Sequence, residues 1–219
     1  MTAAIFDMDG LMFDTERLNL EGWRRAVAAQ GLVMTREMYC AHIGASRETT
    51  RQLMAEQLGP AFDFDAARAD RLAWTRAQVE EHGTPLRPGL TELLAWLDEH
   101  DVPTAIATSS DRDAVEFYLA HAPGLTHRFD AIATWGPGMK GKPAPDVFLK
   151  AAEMLGLPPV ACVVLEDSHN GIRAAHAAGM RSIMVPDLLP ATPDIAALAT
   201  WIAPSLADAI PLFEGLIHG

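Results

Sequence analysis

The 219 residues are 49 % hydrophobic and carry a net charge of −12, from 17 basic against 29 acidic side chains. A chain of this size buries a full core with room for one large domain and a smaller insert, while its acidity excludes a general nucleic-acid or membrane surface. No apolar run approaches the roughly 18 residues that span a bilayer, and two distant cysteines, Cys40 and Cys162, argue against a disulfide framework or a cysteine metal site.

The first predicted element is a strand over Ala3–Phe6, which leaves no space for a targeting segment and points to a reduced, cytoplasmic protein. It runs into Asp7-Met8-Asp9-Gly10. Carboxylates at i and i+2 of an extended segment project to one side, where two negative charges repel. A cation between them, or a proton on one, relieves that repulsion; an Asp-x-Asp-Gly turn ending a hairpin strand is the plainer alternative.

From Glu16 to His82 the sequence shows helical periodicity without a convincing strand. Trp23, Ala26, Val27 and Leu32 mark one face, Leu53, Met54, Gln57 and Leu58 a second, and Ala69, Leu72, Ala73, Arg76 and Val79 a third. The spacing predicts a small helical domain over residues 16–85, inserted into a core made of 1–15 and 86–219, with Gly83 to Gly89 as a hinge. A single domain with a long helical excursion is the alternative.

Strands then follow at Pro103–Ala107, Ala131–Ala133, Ala161–Leu165 and Arg181–Val185, with Trp201–Ala203 as an edge. Helices are expected at Thr91–His100, Asp113–His121, Pro145–Leu155 and Gly171–Ala178, with Gly156 and Gly179 placed as C-terminal caps. The alternation implies an α/β fold, a doubly wound parallel-sheet (Rossmann-like) core carrying an inserted helical cap domain.

Ligands of such sheets bind beyond the carboxyl ends of the strands. The first strand presents Asp7 and Asp9 there, the second Thr108-Ser109-Ser110, the third a loop with Lys140 and Lys142, and the fourth Glu166-Asp167-Ser168. Lys140, Lys142 and Lys150 are the three lysines of the chain, so two compact ammonium groups flank one loop glycine. Clustered carboxylates suit one hard cation, Mg²⁺ above all. Hydroxyls and backbone N–H groups at a helix start suit a phosphate. This inventory serves phosphoryl transfer.

Phe6 to Glu16 resembles the first signature of the haloacid dehalogenase-like hydrolase superfamily. Thr108-Ser109-Ser110 is similar to its second, Lys142 to Phe148 to its third, and Leu165-Glu166-Asp167-Ser168 to its fourth, all in family order. The insert lies where one branch, similar to β-phosphoglucomutase and sugar phosphatases, carries a helical cap. The resemblance implies that Asp7 is the nucleophile, forming an aspartyl-phosphate, and that Asp9 is general acid and then base. It implies metal ligation by Asp7, Asp9 (through its carbonyl), Asp167 and Glu166. Thr108, Ser109 and Lys142 would bind phosphate, with Lys142 preferred to Lys140 because it precedes Pro143. An acid at Asp9 favours phosphate esters over halides, and the lack of a cap lysine excludes Schiff-base phosphonate chemistry.

Within the cap, Asn19, Trp23, Gly44, Ser46, Arg47, Arg71 and Trp74 are the substrate candidates. Arg47, in a stretch resembling the mutase specificity loop, either contacts a phosphate or sugar hydroxyl or stands exposed early in a helix. Trp23 and Trp74 serve as ligand platform or cap core. His169 and Asn170 either support the metal ligands or only open a helix. The expected activity is a Mg²⁺-dependent phosphatase of small phosphate esters, with sugar phosphates foremost; the sequence does not give the oligomeric state, although the resemblance favours a monomer. A phosphosugar mutase is disfavoured by Asn19, which stands where the mutase has a histidine, and a non-catalytic metabolite-binding protein is the alternative of another class.

Overall fold

The computed structural model describes residues 2–43, 45 and 47–218. Six strands form one parallel sheet: β1 (Ala3–Phe6), β2 (Thr104–Thr108), β3 (Ala131–Thr134), β4 (Cys162–Glu166), β5 (Arg181–Met184) and the short edge β6 (Trp201–Ile202). Their order is β3-β2-β1-β4-β5-β6. Each predicted strand is present, with ends displaced by a residue or so.

Strand β1 is buried along its length because it is central and covered on both faces. Ala3 and Ile5 join an alanine-rich cluster with Val147, Phe148 and Ala151 of α7 (Asp146–Leu155) and Ala174 of α8 (His169–Ala177). Ala4 and Phe6 face the other way, toward Leu93 and Leu97 of α5 (Leu90–Glu99), Val115 and Leu119 of α6 (Arg112–Ala120) and Phe213 of α10 (Ile210–His218). The short helix α9 (Pro193–Leu198) precedes β6. The order in which strands are added reverses between β1 and β4, which places a binding crevice there.

Between β1 and α5 lie four helices: α1 (Thr15–Ala29), α2 (Arg36–Cys40), α3 (Arg47–Leu58) and α4 (Phe64–His82). They enclose their own apolar cluster, built from Leu20, Trp23, Val27, Tyr39, Met54, Phe64 and Ala67. One residue from the far side of the sheet, Leu188 after β5, inserts into that cluster. The inward faces of α1 and α3 follow the expected stripes around Trp23 and Met54, although Gln57 is exposed.

The expected face of α4 is corrected except at Val79, which is buried. Ala69, Ala73 and Arg76 are exposed, and the buried stripe is Phe64, Ala67, Thr75 and Val79. These positions repeat at three- and four-residue spacing, but the stripe includes a threonine and passes through Arg71, so apolar character alone selects the wrong side. Gly44 and Ser46 lie outside the described residues.

The exit and return of this insert run side by side. Asp14 N–H donates to the Pro85 carbonyl at 2.8 Å, and Arg87 N–H to the Met12 carbonyl at 2.9 Å. Both crossing segments are also tied to one buried carboxylate. Arg17 and Arg87 each donate to Asp187 Oδ1 at 2.6 Å, and the Asp187 side chain is 0 % exposed.

Candidate active site

The ends of β1 and β4 are neighbours, since Phe6 pairs with Leu165 and Asp7 N–H donates to the Leu165 carbonyl at 3.0 Å. Asp7, Glu166 and Asp167 therefore meet, with one carboxylate oxygen from each within 4.8 Å of the others, and all three are buried. Lys142, brought over by the loop after β3, donates to Asp7 Oδ1 at 2.5 Å and to Glu166 Oε1 at 2.6 Å. Lys142 is buried among these groups, whereas Lys140 is exposed.

Glu166 is held on both oxygens, its Oε2 accepting from Ser168 N–H at 2.6 Å. Gly171 makes room for it: a Cβ at that position would lie 1.7 Å from Glu166 Oε1. Gly10 has φ +84°, and a Cβ there would fall 2.4 Å from Asp167 Oδ2. Glycine is required at both places, by close approach at the first and by backbone conformation as well at the second.

Burial, with Glu166 and Asp7 as like-charged neighbours, holds the Asp167 carboxyl well above its ordinary range. Asp7 is raised too, by burial first and by Glu166, against the opposing pull of Lys142. For Lys142 burial opposes the charge, but Asp7 and Glu166 outweigh it and lift its pKa. Three buried carboxylates thus crowd around one lysine, and Asp167 Oδ1 has no hydrogen-bond partner among the described residues. This donor set fits a divalent cation with oxygen ligands. His169 turns away from it, its Nε2 lying 2.9 Å from the Pro190 carbonyl oxygen.

Asp9 lies on the same rim. Its Oδ1 accepts from Thr15 Oγ1 at 2.9 Å and its Oδ2 from Ser110 Oγ at 2.7 Å. Thr108 Oγ1 accepts from Ser110 N–H at 3.0 Å, which folds the Thr108-Ser109-Ser110 turn over the crevice. Asp111 then caps α6, accepting from Ala114 N–H at 2.9 Å. Ser110 as a partner of Asp9 was not anticipated; its only signal in the sequence is its place in the hydroxyl run after β2.

A cavity of about 360 Å³ opens over these groups, with Asp7, Asp9, Thr108, Ser109, Lys142, Glu166 and Asp167 on one side. Of the cap candidates, Asn19, Trp23, Arg47 and Arg71 line the other side, and Trp74 does not. Arg71 donates to Asn19 Oδ1 at 2.7 Å, with its guanidinium 5.4 Å from the Trp23 ring centroid. Trp23 is both core and wall, since it packs on Phe64. Arg47 reaches the cavity edge but is exposed and paired with Asp65 at 3.1 Å.

Residues 1–179 match the family described as haloacid dehalogenase-like hydrolase. The chain belongs to that family. It is 34 % identical over 221 residues to the Drosophila melanogaster protein named "Probable pseudouridine-5'-phosphatase", covering 99 % of this chain and 94 % of the relative. It is also 34 % identical over 181 residues to fructose-1-phosphate phosphatase YqaB of Escherichia coli, covering 83 % and 94 %. Among solved structures, a CbbY variant from Rhodobacter sphaeroides in complex with xylulose-1,5-bisphosphate superposes with a TM-score of 0.81 at 26 % identity, covering 95 % of this chain and 96 % of that one. This haloacid dehalogenase-like chain is a phosphoric monoester hydrolase.

The sequence signatures bring together what they named, Asp7, Asp9, Thr108, Ser109, Lys142, Glu166 and Asp167, in one crevice. Glu16, Tyr39 and His42 also line the cavity and were missed. Glu16 closes the first signature, and so had a signal; Tyr39 and His42 had none, because only the tertiary fold turns them inward.

Proposed function

We propose that the enzyme is a Mg²⁺-dependent phosphatase of small phosphorylated metabolites, sugar phosphates foremost, working through a phosphorylated Asp7. The observation that carries this reading is the convergence of Asp7, Asp9, Thr108, Lys142 and Asp167 on one cavity. The phosphatases and the sugar-bisphosphate complex among its relatives support the substrate class. Residues 16–85 act as a cap over a core of 1–15 and 86–219, and the free thiols of Cys40 and Cys162 suit the reducing cytoplasm.

Asp7, Asp167 and the Asp9 carbonyl would hold the Mg²⁺, with Glu166 in support. When bound, the ion offsets negative charge on the phosphoryl oxygens and on the carboxylates. Thr108 and the Ser109 amide take hold of the phosphoryl group, and Lys142 bridges it to Asp7. An Asp7 carboxylate oxygen attacks phosphorus as the bond to the ester oxygen breaks, and Asp9 gives that departing oxygen its proton. Asp9, now ionised, takes a proton from water. The resulting hydroxide attacks phosphorus, the bond to Asp7 breaks, and phosphate leaves with both aspartates restored. Closure of α1–α4 over the crevice keeps other water out.

Replacing Asp7 with Asn should lower phosphate release from sugar phosphates by about a thousandfold or more, with the far-UV spectrum unchanged. Release at the native rate by the folded variant would refute the nucleophile. Asp9→Asn should cost about 10²–10⁴ on alkyl phosphates and less on aryl phosphates, whose leaving group departs with little protonation. Equal losses on the two substrates would remove the acid role from Asp9.

A further inference from the structure

Seven large apolar side chains are exposed among the described residues, and four of them, Trp135, Leu149, Met154 and Val160, fall between the end of β3 and the start of β4. Strand β3 is an edge of the sheet, and α7 packs on it. The loop joining them is held in shape. Trp135 Nε1–H donates to the Met139 carbonyl at 3.2 Å, and Lys140 N–H donates to Asp146 Oδ2 at 2.9 Å. A groove of about 400 Å³ lies between this loop and α7, with Pro137, Met139, Leu149, Lys150 and Glu153 on its walls. It shares no residue with the hydrolytic cavity.

Charge singles out what can cover this face. From Trp135 to Val160 the charged residues are Lys140, Asp146, Lys150 and Glu153 besides the buried Lys142, so the rest balance in a chain of net charge −12. Two copies of so acidic a molecule repel least where their charges cancel locally. The outer face of α7 is also complementary to itself. Leu149, Lys150, Glu153 and Met154 are exposed neighbours at three- and four-residue spacing. Let two such helices meet antiparallel about a two-fold axis midway along this run. Lys150 then stands opposite Glu153 of the second copy, and Leu149 opposite its Met154. One axis satisfies the charged pair and the apolar pair alike, each of them twice. Trp135 and Met139 beside the groove are residue types enriched at the centres of protein interfaces.

We propose that the outer face of α7 and the Trp135 loop form a two-fold interface between copies of this chain, which pairs as a homodimer. The partner is a second copy because this surface answers its own charges, residue for residue, about a single axis. The dimer departs from the single chain that the sequence resemblance favours, and it stands independently of the phosphatase reading.

The test is sedimentation velocity of the full chain, with far-UV spectra to confirm that each variant is folded. At about 100 μM the wild type should sediment chiefly with the mass of two chains, and it should dissociate on dilution. Leu149→Glu should give single chains at that concentration. Lys150→Glu, which sets like charges opposite each other, should raise the dissociation constant by about tenfold or more. Exchanging the pair, Lys150→Glu with Glu153→Lys, should bring it back to within about threefold of the wild type. A wild type that stays a single chain at about 100 μM overturns the proposal. So does a dimer that survives Leu149→Glu, or growth beyond two chains with concentration. If Leu149→Glu does not fold, the charge exchange decides alone: an unaltered constant in Lys150→Glu, or no recovery in the double variant, places the contact on another surface.

Discussion

His42 and Glu16 face one cavity with opposite titration behaviour, and solution pH can separate them. Burial sets the folded pKa of His42 near 4 against 6.5 in the open chain. Between those values the unfolded state takes up a proton that the folded state refuses. The His42 contribution is therefore complete above pH 6.5 and is lost as pH falls toward 4. Glu16 runs the other way. Burial, partly opposed by the Tyr39 hydrogen bond, lifts it from 4.5 to about 7, so its contribution is complete below pH 4.5 and is lost as pH rises through 7. Each effect amounts to about 3 kcal/mol, and the two nearly cancel between pH 4.5 and 6.5. Urea midpoints of the metal-free protein across that window should thus rise with pH, relative to the parent, in Glu16→Gln and fall with pH in His42→Gln. The elevated Asp7 and Asp167 carboxyls are common to parent and variants, and drop out of the difference. Differences of the same sign in both variants would show that these two groups do not titrate as their burial dictates. At this scale the sequence is legible where chemistry repeats a local pattern, as in Asp7-Met8-Asp9-Gly10. It is silent at His42, which meets the Tyr39 ring and lines a cavity that only helix packing assembles.

The two crossings between the helical insert and the sheet are joined through one acid. The stretch from Gly83 to Gly89 was readable as a crossing point from its glycines and prolines, and it does return the chain beside Met12 to Asp14. Its anchor was not readable, because Asp187 lies 100 residues beyond Arg87 and 170 beyond Arg17. The fully buried Asp187 carboxylate joins α1 to the return segment through a single oxygen, and the next residue, Leu188, enters the apolar cluster of the four helices. The loop after β5 thus touches both crossing segments and the cluster of the insert. Asp187→Asn leaves two guanidiniums facing a neutral amide, and removing one partner of a buried ion pair costs about 3 kcal/mol. Asp14→Asn disturbs only an exposed contact to Arg17, worth under about 1 kcal/mol. Denaturant unfolding should rank the two accordingly, and a small loss at Asp187 would show that this junction is held by Leu188 instead. The same contrast explains the misplaced face of α4. Strands buried on both sides announce themselves by apolar runs, whereas α4 turns Arg71 toward a polar cavity and buries Thr75 against Gly22 of α1.

Topology turns residues distant in sequence into neighbours, and the acidic centre exists only because β1 pairs with β4. The parallel order could be inferred from alternating strands and helices, and with it the meeting of Asp7 and Asp167. Energetically that meeting is unfavourable on its own terms. Three buried carboxylates share a single lysine, in a molecule whose net charge is already −12. Any ligand that binds the folded state alone stabilises it, by about 2.7 kcal/mol at a hundred times its dissociation constant. Mg²⁺ should therefore raise the melting temperature progressively with its concentration, and EDTA should reverse the rise. Asp167→Asn removes one of the crowded charges along with a ligand. That variant should melt higher than the wild type in EDTA yet gain little from Mg²⁺. Ca²⁺ offers a control, since it accepts the same oxygen ligands with looser geometry and should stabilise the wild type too. If Asp167→Asn responds to Mg²⁺ as fully as the wild type does, the ion sits elsewhere, and the carboxylates gathered by β1 and β4 have another purpose than holding it.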